Sequence, residues 1–315
     1  DRSATVPRRR AGYGTIGIVS AEDAELSHER GEVVWEPPAE AFRSSQLAAF
    51  SRFASERTTK PVDEFADLLD WSITDPNSFW MTFTDWAEVR WHDAPTLALG
   101  SHRMPNTKWF PGATLNYVEH ALAGAADAIA IVAHSQSRPR VTLTYGELAA
   151  DVARCADGLR RLGVGRGDRV VALMPNVAET IVALLATASI GAIWSSCAPE
   201  FGTSAVLDRW RQLGPRVLLT IDGYRYGART VSCADRVRDV VEGLPTLEQV
   251  VILPYGDVDG PALERVTPIA WDELVDPAAE PSPLTFEPVP FDHPLYVLFS
   301  SGTTGLPKAI VHGHG

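Results

Sequence analysis

The chain has 315 residues, enough to bury a sizeable core and to fill one large or two ordinary domains. Apolar residues make up 45% and charged residues 22%, a globular composition, and the net charge of −12 argues against a nucleic-acid partner, which requires a Lys/Arg surplus to neutralise phosphates. Three cysteines, Cys155, Cys197 and Cys233, stand far apart with no CxxC pair, so the pattern gives no zinc site and no disulfide framework and predicts reduced, buried thiols in a cytoplasmic protein.

In chain order, residues 1–30 read as a flexible tail. Arg8, Arg9 and Arg10 precede a stretch diluted by Gly12, Gly14 and Gly17, with no small-residue cleavage site, so no secretory signal is expected. GYGTIG at residues 12–17 spells a dinucleotide fingerprint, but no strand precedes it and that role is set aside. Residues 31–110 are expected to form a helical cap. Its apolar faces are Phe42, Leu47, Phe50 and Phe53, then Phe65, Leu68, Leu69 and Trp71, then Phe79, Trp80, Phe83 and Trp86, all read as packing anchors. WFPG at 109–112 is a turn, and a helix is expected over 115–122.

From residue 128 strands and helices alternate. Strands are expected at 129–133, 169–174, 193–194, 217–220, 250–253 and 295–299, with a further apolar strand after Lys308. Helices are expected after the capping box Thr144/Glu147, from a second start at Asn176/Glu179 to about 189, and over 204–213 and 235–242. In the first of these, Leu148, Val152, Cys155, Leu159 and Leu162 share one face, and Gly163 ends it. Such alternation implies an α/β fold, a parallel sheet covered by helices on both faces. Residues 254–294 are Pro-rich, with one helix near 271–275, and read as a long surface excursion. The longest apolar run, 181–194, is too short to cross a bilayer, so no membrane insertion is expected.

The most informative segment is YVLFSSGTTGLPK at 296–308. An apolar strand runs into Ser300, Ser301, Gly302, Thr303, Thr304 and Gly305, and a second apolar strand follows Lys308. The glycines let the backbone approach an anion, exposed N–H groups in such a turn form an anion nest, the hydroxyls add donors, and Lys308 adds a mobile cation suited to phosphate. It is not a Walker A loop, because Pro307 takes the second Gly position and Ala309 follows the lysine. HGHG at 312–315 offers two histidines and no third ligand, so no metal site is assigned.

The order SSGTTGLPK resembles the signature loop of the acyl-adenylate-forming superfamily. WFPGATLNYVEHAL at 109–122 resembles the entry segment of its short-chain acyl-CoA synthetases. GAIWSSCAPEFG at 191–202, DGYRYG at 222–227 and LPTLEQVV at 244–251 are similar to the acetoacetyl-CoA synthetases of that branch. Ala198 and Glu200 depart from the Ser and Asp expected there. The resemblance runs from about Val34 to the end and leaves out the N-terminal tail.

The resemblance implies the N-terminal part of an adenylate-forming large domain over 111–315, preceded by the helical cap. It implies an ATP-dependent acid–thiol ligase in which the 300–308 loop holds the β- and γ-phosphates, with Mg²⁺ assisting and CoA as co-substrate. The implied reaction joins acetoacetate to CoA through an acetoacetyl-adenylate, releasing AMP and pyrophosphate. It also implies that Arg229, aligned without a gap, and Arg225, aligned after a one-residue shift, bind the 3′-phosphate of CoA, as a guanidinium fork suits. Two alternatives stay open: a sister ligase for acetate or propionate, and a non-catalytic nucleotide-binding or interaction fragment. The chain lacks an initial Met and stops just past the loop, so it is expected to be a piece of a longer protein, incomplete for catalysis by itself.

Overall fold

The computed structural model describes residues 33–36, 38–58, 62, 64–300 and 305–315. The tail at 1–30, its GYGTIG motif, the side chain of Phe42, and the loop residues Ser301, Gly302, Thr303 and Thr304 lie outside the described residues.

A seven-stranded sheet organises the molecule. Its spatial order is Ile269–Ala270, Gln249–Leu253, Val217–Ile221, Arg169–Leu173, Ile193–Cys197, Pro294–Ser300 and Lys308–Gly313. The first six strands run parallel and the last returns antiparallel. Val217–Ile221, with sequence VLLTI, is buried at every position, the unbroken apolar run that a strand covered on both faces needs. Pro294–Ser300 meets its parallel neighbour through Tyr296 and Trp194, and the buried Ser195 hydroxyl reinforces the join by donating to the Val297 carbonyl at 2.8 Å.

Helix Tyr145–Arg161 starts as its sequence dictates. Thr144 accepts the Glu147 N–H at 3.2 Å and the Glu147 carboxylate accepts the Thr144 N–H at 2.8 Å. Leu148, Val152, Cys155 and Leu159 are buried along the predicted face, and Gly163, at φ 77°, ends it. This helix packs on Ala178–Ser189 and on the short helix Trp271–Val275, while Thr203–Trp210 packs on Ala234–Gly243.

Several expectations need correction. Asn176 does not cap the next helix: Val177 holds that position without a side-chain bond, and Arg138 engages the Glu179 carboxylate at 2.7 Å. Leu115 belongs to strand Thr114–Leu115, because the Asn116 side chain caps Tyr117–Ala121 and fixes its start two residues later than expected. Ile129–Ala133 pairs antiparallel with Val141–Thr144 in a separate hairpin and does not join the parallel sheet. The 254–294 stretch is more than a surface excursion, since it supplies the edge strand Ile269–Ala270 and buries Trp271, Leu274 and Val289.

The cap helices Gln46–Ser55, Phe65–Thr74 and Pro76–Trp86 enclose a second core of Phe50, Ala54, Val62, Leu68 and Trp71. Phe50 is its hub, with ring centroids of Phe79, Phe83 and Trp86 at 5.4–5.5 Å. Of the expected anchors, Phe50, Leu68, Trp71, Phe79, Phe83 and Trp86 pack in this core, while Leu47, Phe65 and Leu69 turn outward at 37%, 59% and 48% exposure, because Leu68 and Trp71 alone fill the narrow face of their helix.

Candidate active site

The central strand Arg169–Leu173 sends its chain in one direction across the sheet, through helix Ala178–Ser189 to Ile193–Cys197. The next connection, through Thr203–Trp210, steps back over it to Val217–Ile221. Right-handed crossovers in opposite directions lie on opposite faces, so the carboxyl ends of the two strands part around a crevice. That crevice has a volume of about 560 Å³ and is lined by Met174, Asn176, Cys197, Glu200, Tyr224 and Arg225, among others. Pro294–Ser300 runs parallel beside Ile193–Cys197 and ends at the same edge of the sheet.

Ser300, where the hydroxyl-rich segment begins, is thereby brought to the sheet edge at which the crevice opens. The two stems of its hairpin are in register, Ser300 opposite Lys308, and Lys308 is exposed at the hairpin's open end. Gly305 adopts φ 155°, a backbone state that L side chains rarely take, with open space where a Cβ would stand. Gln212, just past helix Thr203–Trp210, donates to the Pro307 carbonyl at 3.0 Å and fixes the exit of the turn. The arrangement places a mobile cation and a hydroxyl where three parallel strands end, a geometry suited to an anionic ligand.

Arg225 and Arg229 lie on a hairpin the sequence pattern did not announce, Gly223–Tyr226 with Arg229–Ser232, turning at Gly227 with φ 58°. Cross-strand partners are Arg225 with Thr230 and Tyr226 with Arg229. Alternation along the strand therefore sends the two arginines to opposite faces of the hairpin. Arg225 lines the crevice and also a second, polar cavity of about 300 Å³ with Ser137, Thr230, Tyr255, Gly256 and Asp257. Arg229 is exposed and lines neither.

The base of that hairpin is Asp222, a buried carboxylate missed in the sequence as a site residue. Burial pushes its carboxyl up, but backbone N–H groups from Gly256, Tyr255, Val258 and Gly223 outweigh that cost and hold it below the usual carboxylate range. Asn176, Glu200 and Tyr255 were also missed. The available signal was positional: Asn176 and Glu200 follow the carboxyl ends of the two strands that flank the switch, and Tyr255 follows that of Gln249–Leu253, two strands away.

The remaining reactive side chains are quiet. Burial pushes the Cys197 thiol up to about 11, so it lines the crevice without nucleophilic character. His314 is buried and neutral, its Nδ1 accepting the Tyr117 N–H at 3.2 Å. Among the described residues no group of three His, Cys, Asp or Glu is placed to hold a metal ion, and no helix is long and apolar enough to cross a membrane.

The family model described as AMP-binding enzyme matches residues 118–315, more than half of the chain. The chain belongs to the AMP-binding enzyme family. A second model, the acetyl-coenzyme A synthetase N-terminus, matches residues 65–121 of this AMP-binding enzyme, across helices Phe65–Thr74 and Pro76–Trp86 and the Asn116 segment. The acetoacetyl-coenzyme A synthetase of Rhizobium meliloti (strain 1021) is 39% identical over 90% of the chain, and the acetoacetyl-CoA synthetase of Macaca fascicularis is 35% identical over 90%. The solved acetoacetyl-CoA synthetase from Streptomyces lividans superposes with a TM-score of 0.82 at 42% identity over 89% of the chain. The chain spans 43% of the length of each of these three proteins.

Proposed function

We propose that this AMP-binding enzyme chain is the phosphate-gripping and thiol-substrate part of an AMP-forming acid–thiol ligase that makes acetoacetyl-CoA from acetoacetate, ATP and CoA. One observation carries the assignment. The hairpin bearing Ser300, Gly305 and Lys308 opens at the same sheet edge as the switch crevice, so a phosphate chain and a second substrate can meet there. The names of the relatives at 35–42% identity support acetoacetate as the acid.

In the first step a carboxylate oxygen attacks the α-phosphorus of ATP, and the bond from that phosphorus to pyrophosphate breaks. Negative charge gathers on the departing pyrophosphate, where Lys308 and the Ser300 hydroxyl, with Ser301, Gly302, Thr303, Thr304 and Gly305 of the turn, offer positive charge and donors. In the second step the sulfur of CoA attacks the acyl carbon, loses its proton, and AMP leaves with the electrons of the broken carbon–oxygen bond. The crevice would admit the thiol substrate, with Arg225, which lines it, proposed for the 3′-phosphate of CoA, while Arg229, on the other face of the hairpin, points away from it. Mg²⁺ would travel with the triphosphate, held chiefly by phosphate oxygens and water. Buried thiols with raised pKa fit a reducing, cytoplasmic setting.

The match of residues 65–121 to the acetyl-coenzyme A synthetase N-terminus makes acetate the comparison acid. In the full-length enzyme, Lys308→Ala is expected to slow acetoacetate-dependent ATP–pyrophosphate exchange by about 10²-fold, the cost of removing one preorganised charge-stabilising group. Exchange at the wild-type rate would overturn the role of Lys308, and a higher kcat/KM for acetate than for acetoacetate would overturn the choice of acid.

A further inference from the structure

We propose that Asp222 is a positioning residue for CoA recognition: its carboxylate pins the 223–232 hairpin to the 255–258 loop and so holds Arg225 on the ridge between the crevice and the polar cavity. The inference rests on the CoA assignment above.

The pin is built entirely from backbone donors. Asp222 Oδ1 accepts the N–H groups of Gly223, Tyr255 and Gly256, each at 2.7 Å, and Oδ2 accepts that of Val258 at 3.2 Å. Its own carbonyl accepts the Cys233 N–H at 2.8 Å, closing the base of the hairpin. Among the described residues the carboxylate has no cationic partner, so its charge is spent on these four amides. Their convergence brings two backbones into contact. A Cβ on Gly256 would stand 2.4 Å from the Gly223 carbonyl carbon, and one on Gly223 would stand 2.7 Å from the Val231 carbonyl oxygen. Neither glycine has room for a side chain.

Both pinned segments face the same two cavities. Arg225 and Tyr255 line the crevice and the polar cavity alike, and Thr230, the register partner of Arg225, lines the polar one. The loop side is braced as well: the Arg138 guanidinium lies 4.5 Å from the centre of the Tyr255 ring while paired with Glu179. The backbone bond between Cys233 and Asp222 closes the hairpin at its base and Tyr224 packs on the main core, but a guanidinium further along the hairpin recognises phosphate only when its fork is held in place.

The test compares Asp222→Asn, Arg225→Ala and the double variant in the full-length enzyme. The amide keeps the size of the side chain but sets an NH₂ donor against a backbone donor. Asp222→Asn is expected to raise KM for CoA about tenfold, the loss of one charge-assisted contact, while KM for ATP moves less than about twofold. Because Asp222 acts through Arg225, the double variant should be no worse than Arg225→Ala alone. Gly256→Ala, which forces the same two backbones apart, should reproduce the CoA-selective effect and serves if Asp222→Asn does not fold. A raised KM for CoA in Arg225→Ala with none in Asp222→Asn or Gly256→Ala overturns the pin and leaves the CoA assignment standing. Additive effects in the double variant also overturn the pin. An unchanged KM for CoA in Arg225→Ala overturns the assignment on which the pin rests.

Discussion

His314 gives the sharpest test of how helix Tyr117–Ala121 seats on the end of the large sheet. The ring is 4% exposed, its Nδ1 accepts the Tyr117 N–H, and its Nε2 is buried without a partner among the described residues. Burial, followed by the nearby His293 ring at 5.7 Å, lowers its pKa from 6.5 to about 4. The unfolded chain takes up a proton near pH 6.5 that the folded protein refuses until about pH 4, so the associated stability is full above 6.5 and is lost as pH falls through that window. The loss is roughly 2 kcal/mol at pH 5 and about 3 kcal/mol at the acid limit. Urea unfolding at pH 7.5 and pH 5.0 would measure it against His314→Asn, whose Oδ1 can still accept the Tyr117 N–H. Wild type should lose about 2 kcal/mol more than the variant over that interval. Equal pH dependence in the two proteins would refute the suppressed titration.

Gly158→Ala would place a Cβ 2.2 Å from the Leu274 carbonyl oxygen, forcing apart the helices Tyr145–Arg161 and Trp271–Val275. A loss of about 2 kcal/mol is expected in urea unfolding, as for overpacked cores. Asn116 is fully buried and donates to the carbonyls of Ala188, Ser189 and Glu287 at 3.0–3.3 Å. Asn116→Ala strands those acceptors and should cost about 2–3 kcal/mol, read as a lowered Tm. With Cys155 pushed up to about 12 and Cys197 and Cys233 to about 11, all chiefly by burial, the native protein should resist iodoacetamide at pH 7.5 where the urea-unfolded chain reacts. A fast-reacting native thiol would contradict the buried assignment.

Periodicity found most of what the sheet required. VLLTI at 217–221 and the 3–4 spacing from Leu148 to Leu159 carry strong signals because each residue's burial is set by its own element. The failures share a cause. Asn176 with Glu179 spelled a helix start, but tertiary contact took the carboxylate for Arg138. Residues 129–133 spelled a strand correctly, yet nothing local says which sheet a strand joins. The Gly223–Ser232 hairpin is short and polar and is set by Asp222 and the 255–258 loop, some 30 residues away in sequence. Of the proposed site, the hydroxyl-rich segment could be picked out as a motif because its residues are compressed into nine consecutive positions, 300–308. The crevice could not, since its lining is gathered from the ends of several strands.

The return strand Lys308–Gly313 also leaves the sheet unfinished. Its outer side has no ladder partner among the described residues, and Ile310 and Val311 stand 43% and 57% open to solvent. An uncovered rim of this kind is a template for any extended chain that meets it. Copies of the protein with that rim uncovered would tend to pair edge to edge.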